Sequence, residues 1–435
     1  MRFLVIVLWL LSYPSEAQTI TAHFPQAANR EVRLAGFTFA ASPVFSQATA
    51  DASGNFKLQF PKEYSGAALL EIKGMTSVIV LLNNENLGMI WPNLTDYNSV
   101  SFTGSAENNA FNGGLAIYRE SNAKKLGLTY LLPMYVGEDK KQQFFESELQ
   151  FQRNAMSTFL SSIPENAYSR YYLQIRSFLS DLQQVAKGSG EVDLAEFYKI
   201  NFSDLRLERS GLTKELLDAY FLVAEAQSQN VAEVKKAIDH VLLKISNPEL
   251  KQDVAEHLFK NFEQQSLFQA SEYVAFSMLN STDCTLDGRR EALFEQYRKM
   301  AKGQIAPEIT FVNSNKNVKH LSQVGSKYKL VVFGAGWCPS CQEELPKLQS
   351  NYDKWKTKNL EIVYISLDTD AESYKAFTAN SAWITSSDYK SWEGQAARDY
   401  YISGTPTMYL LDRSNRILLK PVSPDQVSAW LEMQN

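Results

Sequence analysis

The run Tyr328-Lys329-Leu330-Val331-Val332-Phe333-Gly334-Ala335 is apolar, rich in β-branched residues and of strand length, and three residues beyond it two cysteines stand three apart, Cys338-Pro339-Ser340-Cys341. The residues after them, PSCQEELPKLQSNYDKW, place Leu345, Leu348, Tyr352 and Trp355 on one helical face. The chain must therefore leave a buried strand, turn tightly, and start a helix with the cysteines at its N-terminus. Three chemistries fit such a pair: a redox dithiol, half of a metal site, or a structural disulfide.

Cysteine usage narrows the choice. The 435-residue chain has three cysteines, Cys284, Cys338 and Cys341, far too few for a disulfide-stapled scaffold. Cys284 lies in a polar, loop-like segment, NSTDCTLDG. Zinc needs four ligands, and the only histidine of this part of the chain is His320, before the strand. His23, His240 and His257 have no ligand-spaced companions. A peroxidatic cysteine would want a threonine shortly before it, and residues 334–337 offer none.

Around the pair, strands and helices alternate. LEIVYISLD is a second buried strand, ESYKAFTAN and WEGQAARDYY are helical, TMYLLD and RILLKP are strands joined by the turn DRSN, and SPDQVSAWLEM is a closing helix with Ser423 as its cap. Alternation demands parallel pairing and the hairpin antiparallel pairing, so residues 303–435 form a mixed sheet flanked by helices.

The preceding chain falls into further zones. Residues 18–104 show strand periodicity, with Phe56, Leu58 and Phe60 alternating in GNFKLQF, and are expected to form an antiparallel β-sandwich. Residues 105–302 carry a helical period. Val231, Val234, Ile238, Val241, Leu242 and Ile245 share one face, as do Val254, Leu258, Phe259 and Phe262, with breaks near Pro164, at KGSGE and at Pro248. The expected class is a multidomain chain: β-sandwich, α-helical region, C-terminal α/β domain. Residues 1–17, with Arg2, an apolar run from Phe3 to Leu11 and Ser15-Glu16-Ala17, read as a signal peptide cut after Ala17. The run is about half the ~20 residues that a membrane span needs, so no integral anchor is expected after cleavage. No cysteine follows it for a lipid anchor. A net charge of −5 without a basic cluster excludes a nucleic-acid partner.

The strand ending in WCPSC, the helix that starts at the cysteines and the Thr405-Pro406 dipeptide before a strand resemble the thioredoxin superfamily. Within it, FxxxWCxxCxxExP from Phe333 to Pro346 and the Ala306-Pro307 entry resemble the TlpA/ResA-like thiol-disulfide oxidoreductases. The resemblance covers residues 305–435 and implies a thioredoxin fold and an exported enzyme of a Gram-negative periplasm or cell envelope. Cys338 would attack first, because a helix N-terminus favours a thiolate. Cys341, one turn inward and buried, would resolve the mixed disulfide.

Where many thioredoxins carry a buried aspartate on the preceding strand, this chain has Val332, and the resemblance gives Glu344 the place of proton acceptor. It also implies that Trp337, Pro339, Thr405 and Pro406 form the substrate-docking surface, with Pro406 as a cis-proline. The dithiol carries the electrons, so no cofactor is expected. The expected partners are protein disulfides or dithiols, with apocytochrome thiols of cytochrome c maturation among them, and a thiol electron donor in the membrane. A thiol oxidase or isomerase, and a binding protein with an ancillary thioredoxin domain, remain open alternatives, since Pro339-Ser340 alone does not set the redox direction.

Overall fold

The computed structural model describes residues 18–188, 190–228, 231–265, 267–281, 285–312, 319–402 and 404–434. The expected signal segment and Cys284 lie outside the described residues. The chain divides into two compact units, Met1–His257 and Leu258–Asn435.

The first unit opens with eight strands, β1 (Gln18–His23), β2 (Glu31–Gly36), β3 (Val44–Thr49), β4 (Asn55–Phe60), β5 (Ser65–Ile72), β6 (Ser77–Asn83), β7 (Leu87–Ile90) and β8 (Ser101–Thr103). They make two four-stranded sheets, ordered β4-β1-β7-β8 and β3-β2-β5-β6. Inward side chains of both, among them Phe56, Leu58, Phe60, Leu70 and Val80, join one apolar core. Pairing is antiparallel except between β1 and β7, which run parallel. The purely antiparallel arrangement expected from alternation misses this pair, because side-chain period does not encode strand direction.

Helices follow: α1 (Ala106–Leu131), α2 (Asp139–Leu160), α3 (Tyr168–Ala186), α4 (Leu205–Glu208), α5 (Thr213–Ser228), α6 (Val231–Lys244) and the start of α7 (Pro248–Gln264). The expected apolar face of α6 is buried from Val234 to Leu242, and that of α7 from Val254 to Phe262. His240 lies against Phe197, Tyr198 and Phe202, and His257 pairs with Asp218 at 2.7 Å, so both histidines serve packing.

The second unit begins inside α7 rather than at residue 303. It includes α8 (Phe268–Leu279) and α9 (Gly288–Lys299). Phe259 of α7 stacks edge-on against Phe294 and Tyr297 of α9. Lys420 reaches Glu272 of α8 at 3.5 Å and lies over the rings of Phe268, Tyr297 and Tyr409. An amphipathic period shows that a helix has a buried face but not which core buries it.

The α/β part comprises β9 (Tyr328–Gly334), α10 (Pro339–Thr357), β10 (Leu360–Ser366), α11 (Ala371–Thr378), β11 (Ile384–Ser387), α12 (Gln395–Asp399), β12 (Thr407–Asp412), β13 (Ile417–Leu419) and α13 (Pro424–Glu432). The sheet order is β11-β10-β9-β12-β13. β10 is parallel to β9 and β11, whereas β12 is antiparallel to β9 and β13, the mixed sheet that the pattern required. β11 went unrecognised in the sequence. Ser423 occupies the N-cap of α13 but makes no side-chain cap bond there. Among the described residues no helix is long and apolar enough to cross a membrane.

Trp355 of α10 is 1% exposed and donates its indole N–H to Ser428 Oγ of α13 at 3.1 Å. Trp355→Ala should lower the stability of this unit by about 3–5 kcal/mol in denaturant unfolding followed by circular dichroism, with Trp355→Phe losing far less.

Candidate active site

All seven residues of β9 are buried, which carries the backbone through the middle of the sheet to Gly334. The turn that follows is held from two sides. Asp368, fully buried just past β10, accepts the Gly336 N–H at 3.0 Å, and Gln342 donates its side-chain amide to the Gly336 carbonyl at 2.6 Å. Cys338 then takes the N-cap of α10 and Pro339 its first turn, where a missing N–H costs nothing.

Both cysteines are free thiols, 4% and 3% exposed. Cys338 Sγ accepts the backbone N–H of Cys341 at 3.2 Å, one of the helix N–H groups without an intrahelical partner. It also donates to the carbonyl of Thr405 at 3.3 Å. The Thr405–Pro406 peptide is cis. The Cys341 thiol is pushed up to about 12, first by burial and next by the Cys338 side chain. The two sulfurs are therefore unequal: one sits at a helix N-terminus with an N–H donated to it, the other is held neutral behind it.

The other residues singled out in the sequence are placed as follows. Trp337 is 51% exposed beside Cys338, and its ring centroid lies 6.0 Å from that of Trp392. Thr405 and Pro406 line a cleft of about 390 Å³ together with Phe268, Tyr297 and Lys420. Glu344 lies one turn beyond Cys341 on the same face, with Oε1 on Lys347 at 2.8 Å and Oε2 buried without a partner. Pro346 sits inside an unbroken 19-residue helix. Among the described residues no group of three His, Cys, Asp or Glu side chains gathers as around a metal ion.

Three residues escaped the sequence reading. Asp368 supplies a buried carboxylate from just past the neighbouring strand β10 rather than from β9. Trp392 adds a second tryptophan, 38% exposed, beside Trp337. Tyr364 places its hydroxyl near the cysteines. A signal for two of them existed: Tyr364, Ser366 and Asp368 alternate as polar residues through an otherwise apolar strand run.

A buried strand leading to a helix capped by the first cysteine of a CxxC pair, with a cis-proline turn against its sulfur, defines a thioredoxin-like redox domain. Residues 325–417 match the thioredoxin-like family model. The sporulation thiol-disulfide oxidoreductase A of Bacillus subtilis is 27% identical over 107 residues, 23% of this chain and 64% of that protein. The thiol-disulfide oxidoreductase ResA of Bacillus cereus is 23% identical over 147 residues, 33% of this chain and 81% of that one. The thioredoxin domain of a Bacteroides vulgatus thiol-disulfide oxidoreductase is 28% identical with a TM-score of 0.29, over 31% of this chain and 97% of that one. Among the first curated relatives the matched share of their own length runs from 21% to 64%. Through this domain, under a third of its length, the chain is similar to thioredoxin-like thiol-disulfide oxidoreductases.

At pH 8 a thiol with a pKa of about 12 is ionised in about one molecule in ten thousand. Alkylation of Cys341 in the reduced protein should therefore rise about tenfold per pH unit from pH 8 to 11 without levelling off. Peptide mass mapping after timed iodoacetamide exposure checks this, and a plateau near pH 9 would contradict it.

Proposed function

We propose that the protein is an exported thiol-disulfide oxidoreductase that reduces disulfides of envelope proteins through Cys338 and Cys341. The observation that carries this reading is the cap itself: the Cys338 sulfur receives the Cys341 N–H, a bond that a thiolate accepts more strongly than a thiol. Cys338 attacks a substrate disulfide. A new S–S bond forms to one substrate sulfur, and the other leaves as a thiolate and takes up a proton. Cys341 then loses its proton, attacks Cys338 Sγ and closes the Cys338–Cys341 disulfide, and the second substrate thiol departs. Two electrons pass from the dithiol to the substrate, and no cofactor is needed.

Glu344 is the proposed acceptor of the Cys341 proton. Its position one helical turn away and its unpartnered Oε2 support that role. Trp337, Pro339, Thr405 and Pro406 form the docking surface, and the cleft beside the Thr405–Pro406 turn gives an extended segment room to lie. Export rests on residues 1–17 and would place the enzyme in a Gram-negative periplasm or envelope, re-reduced by a thiol donor in the membrane. Thiols of apocytochromes in cytochrome c maturation are the substrates that the family resemblance suggests.

Cys338→Ser should abolish reduction of a model disulfide peptide, and Cys341→Ser should accumulate a covalent complex seen by non-reducing electrophoresis and mass spectrometry. A Cys341→Ser protein that never traps a partner would sink the mechanism. Equilibration in graded thiol buffers sets the direction: a potential near or below about −220 mV is expected of a reductase, whereas about −120 mV would make the protein an oxidant.

A further inference from the structure

Tyr364 is 2% exposed and its hydroxyl has no hydrogen-bond partner. An unpaired hydroxyl in a core is costly, and a phenylalanine would fill the same space without it. Its ring belongs to the core beneath α10, with Val332 and Trp355. Its tip extends to the neighbouring strand, where it meets Gly334. A Cβ on Gly334 would lie 2.3 Å from Tyr364 Oη and 3.3 Å from Cys341 Sγ. Hydroxyl and sulfur thus flank the same bare Cα. Gly334 is a buried strand residue absent from the positive-φ glycines, so clearance for these two atoms is what the missing side chain provides.

The ionisable groups acting on the hydroxyl are Cys341, Asp368 and Cys338. Both Asp368 oxygens are engaged, by the Gly336 N–H and by the Ser366 hydroxyl. Cys338 Sγ is engaged by the Cys341 N–H and the Thr405 carbonyl. Of the three, Cys341 Sγ shares the Gly334 clearance with the phenol.

We propose that Tyr364 is a positioning residue for the resolving step, its O–H donating a hydrogen bond to Cys341 Sγ as that sulfur becomes a thiolate. The inference rests on the dithiol reading above. A neutral thiol is a weak acceptor, so the phenol gains its partner only when Cys341 gives up its proton. The proton goes to Glu344, the thiolate attacks Cys338 Sγ, the Cys338–substrate S–S bond breaks, and the substrate sulfur leaves with the electron pair. The phenol keeps its own proton throughout. Burial first, and then the neighbouring thiols and Asp368, hold it well above the ordinary tyrosine range, as a pure donor requires.

Tyr364→Phe keeps the ring and removes the donor. Two steps are measured separately in the full-length protein: mixed-disulfide formation by Cys338 in a Cys341→Ser background, and resolution of a preformed mixed disulfide, each from pH 6 to 10. Resolution should slow about tenfold or more, as loss of a hydrogen bond to a charged group implies, and its rise with pH should move upward by about one unit. Formation should be unchanged. Gly334→Ala, which displaces the hydroxyl from the sulfur, should slow resolution similarly, with little further loss when Tyr364→Phe is added.

Equal resolution rates and pH profiles in wild type and Tyr364→Phe would overturn the proposal. So would equal slowing of both steps, which marks a structural role. Should Tyr364→Phe fail to fold, Gly334→Ala with wild-type resolution would overturn it instead. A wild type that forms no mixed disulfide refutes the dithiol reading, whereas one that resolves no faster than Tyr364→Phe refutes only the tyrosine's role.

Discussion

One helix N-terminus at the end of one buried strand organises the C-terminal unit. β9 is paired on both sides and buried along its whole length, so the chain leaves it only at the strand's C-terminal end. Parallel pairing with β10 requires a crossover, and α10 is that crossover, so its unpaired N–H groups open at the strand's end. The other neighbour of β9 is β12, registered with Thr407 opposite Phe333. That register brings the Thr405–Pro406 turn to the same end, where the Thr405 carbonyl meets the Cys338 sulfur. The cysteines are adjacent in sequence, but their surroundings are assembled by strand order.

Burial then separates the two thiols. As neutral groups they pack like small apolar side chains, and both belong to the apolar cluster with Val331, Phe333 and Ile365. A thiolate in that setting is expensive unless hydrogen bonds offset the lost water. Cys338 has a helix N–H aimed at its sulfur, and the exposed Trp337 adjoins it, its ring 6.0 Å from that of Trp392. Cys341 lies a turn deeper, where burial raises its pKa to about 12. The proposed order, attack by Cys338 and resolution by Cys341, rests on this difference in environment rather than on the order of the residues.

Much of this unit was legible in the sequence because its signals are local. The apolar run of β9, the helical face of α10 and the DRSN hairpin each lie within one window of residues. β11 was not legible: Ile384-Thr385-Ser386-Ser387 is short and polar, yet all four residues are buried. Its hydroxyls are matched by partners distant in sequence, Thr385 by Tyr374, Ser386 by Val312 and Ser387 by the Ser366 carbonyl. A strand that satisfies its polar groups through tertiary contacts carries no apolar signature. The same limit hid Asp368, whose role depends on Gly336 lying across from it. It also hid the attachment of α8 and α9, decided by Lys420 beside Glu272 and three aromatic rings.

In the proposed mechanism access and proton handling fall to different residues. Trp337, Trp392 and the Thr405–Pro406 turn are the proposed docking side, where a substitution would alter which partner docks. Asp368, Glu344 and Tyr364 are buried or nearly so, and on the proposed reading a substitution there would alter how charge is managed once a partner is bound. Gly334 and Gly336 lie between the two sets. A Cβ at Gly334 would meet Tyr364 and Cys341, and one at Gly336 would crowd Phe377 at 3.3 Å and Asp368 at 3.4 Å. The turn that presents Cys338 is therefore shaped from within by the groups to which the second step is assigned in the proposal. Docking residues can vary with the substrate without disturbing that chemistry, whereas either glycine constrains both.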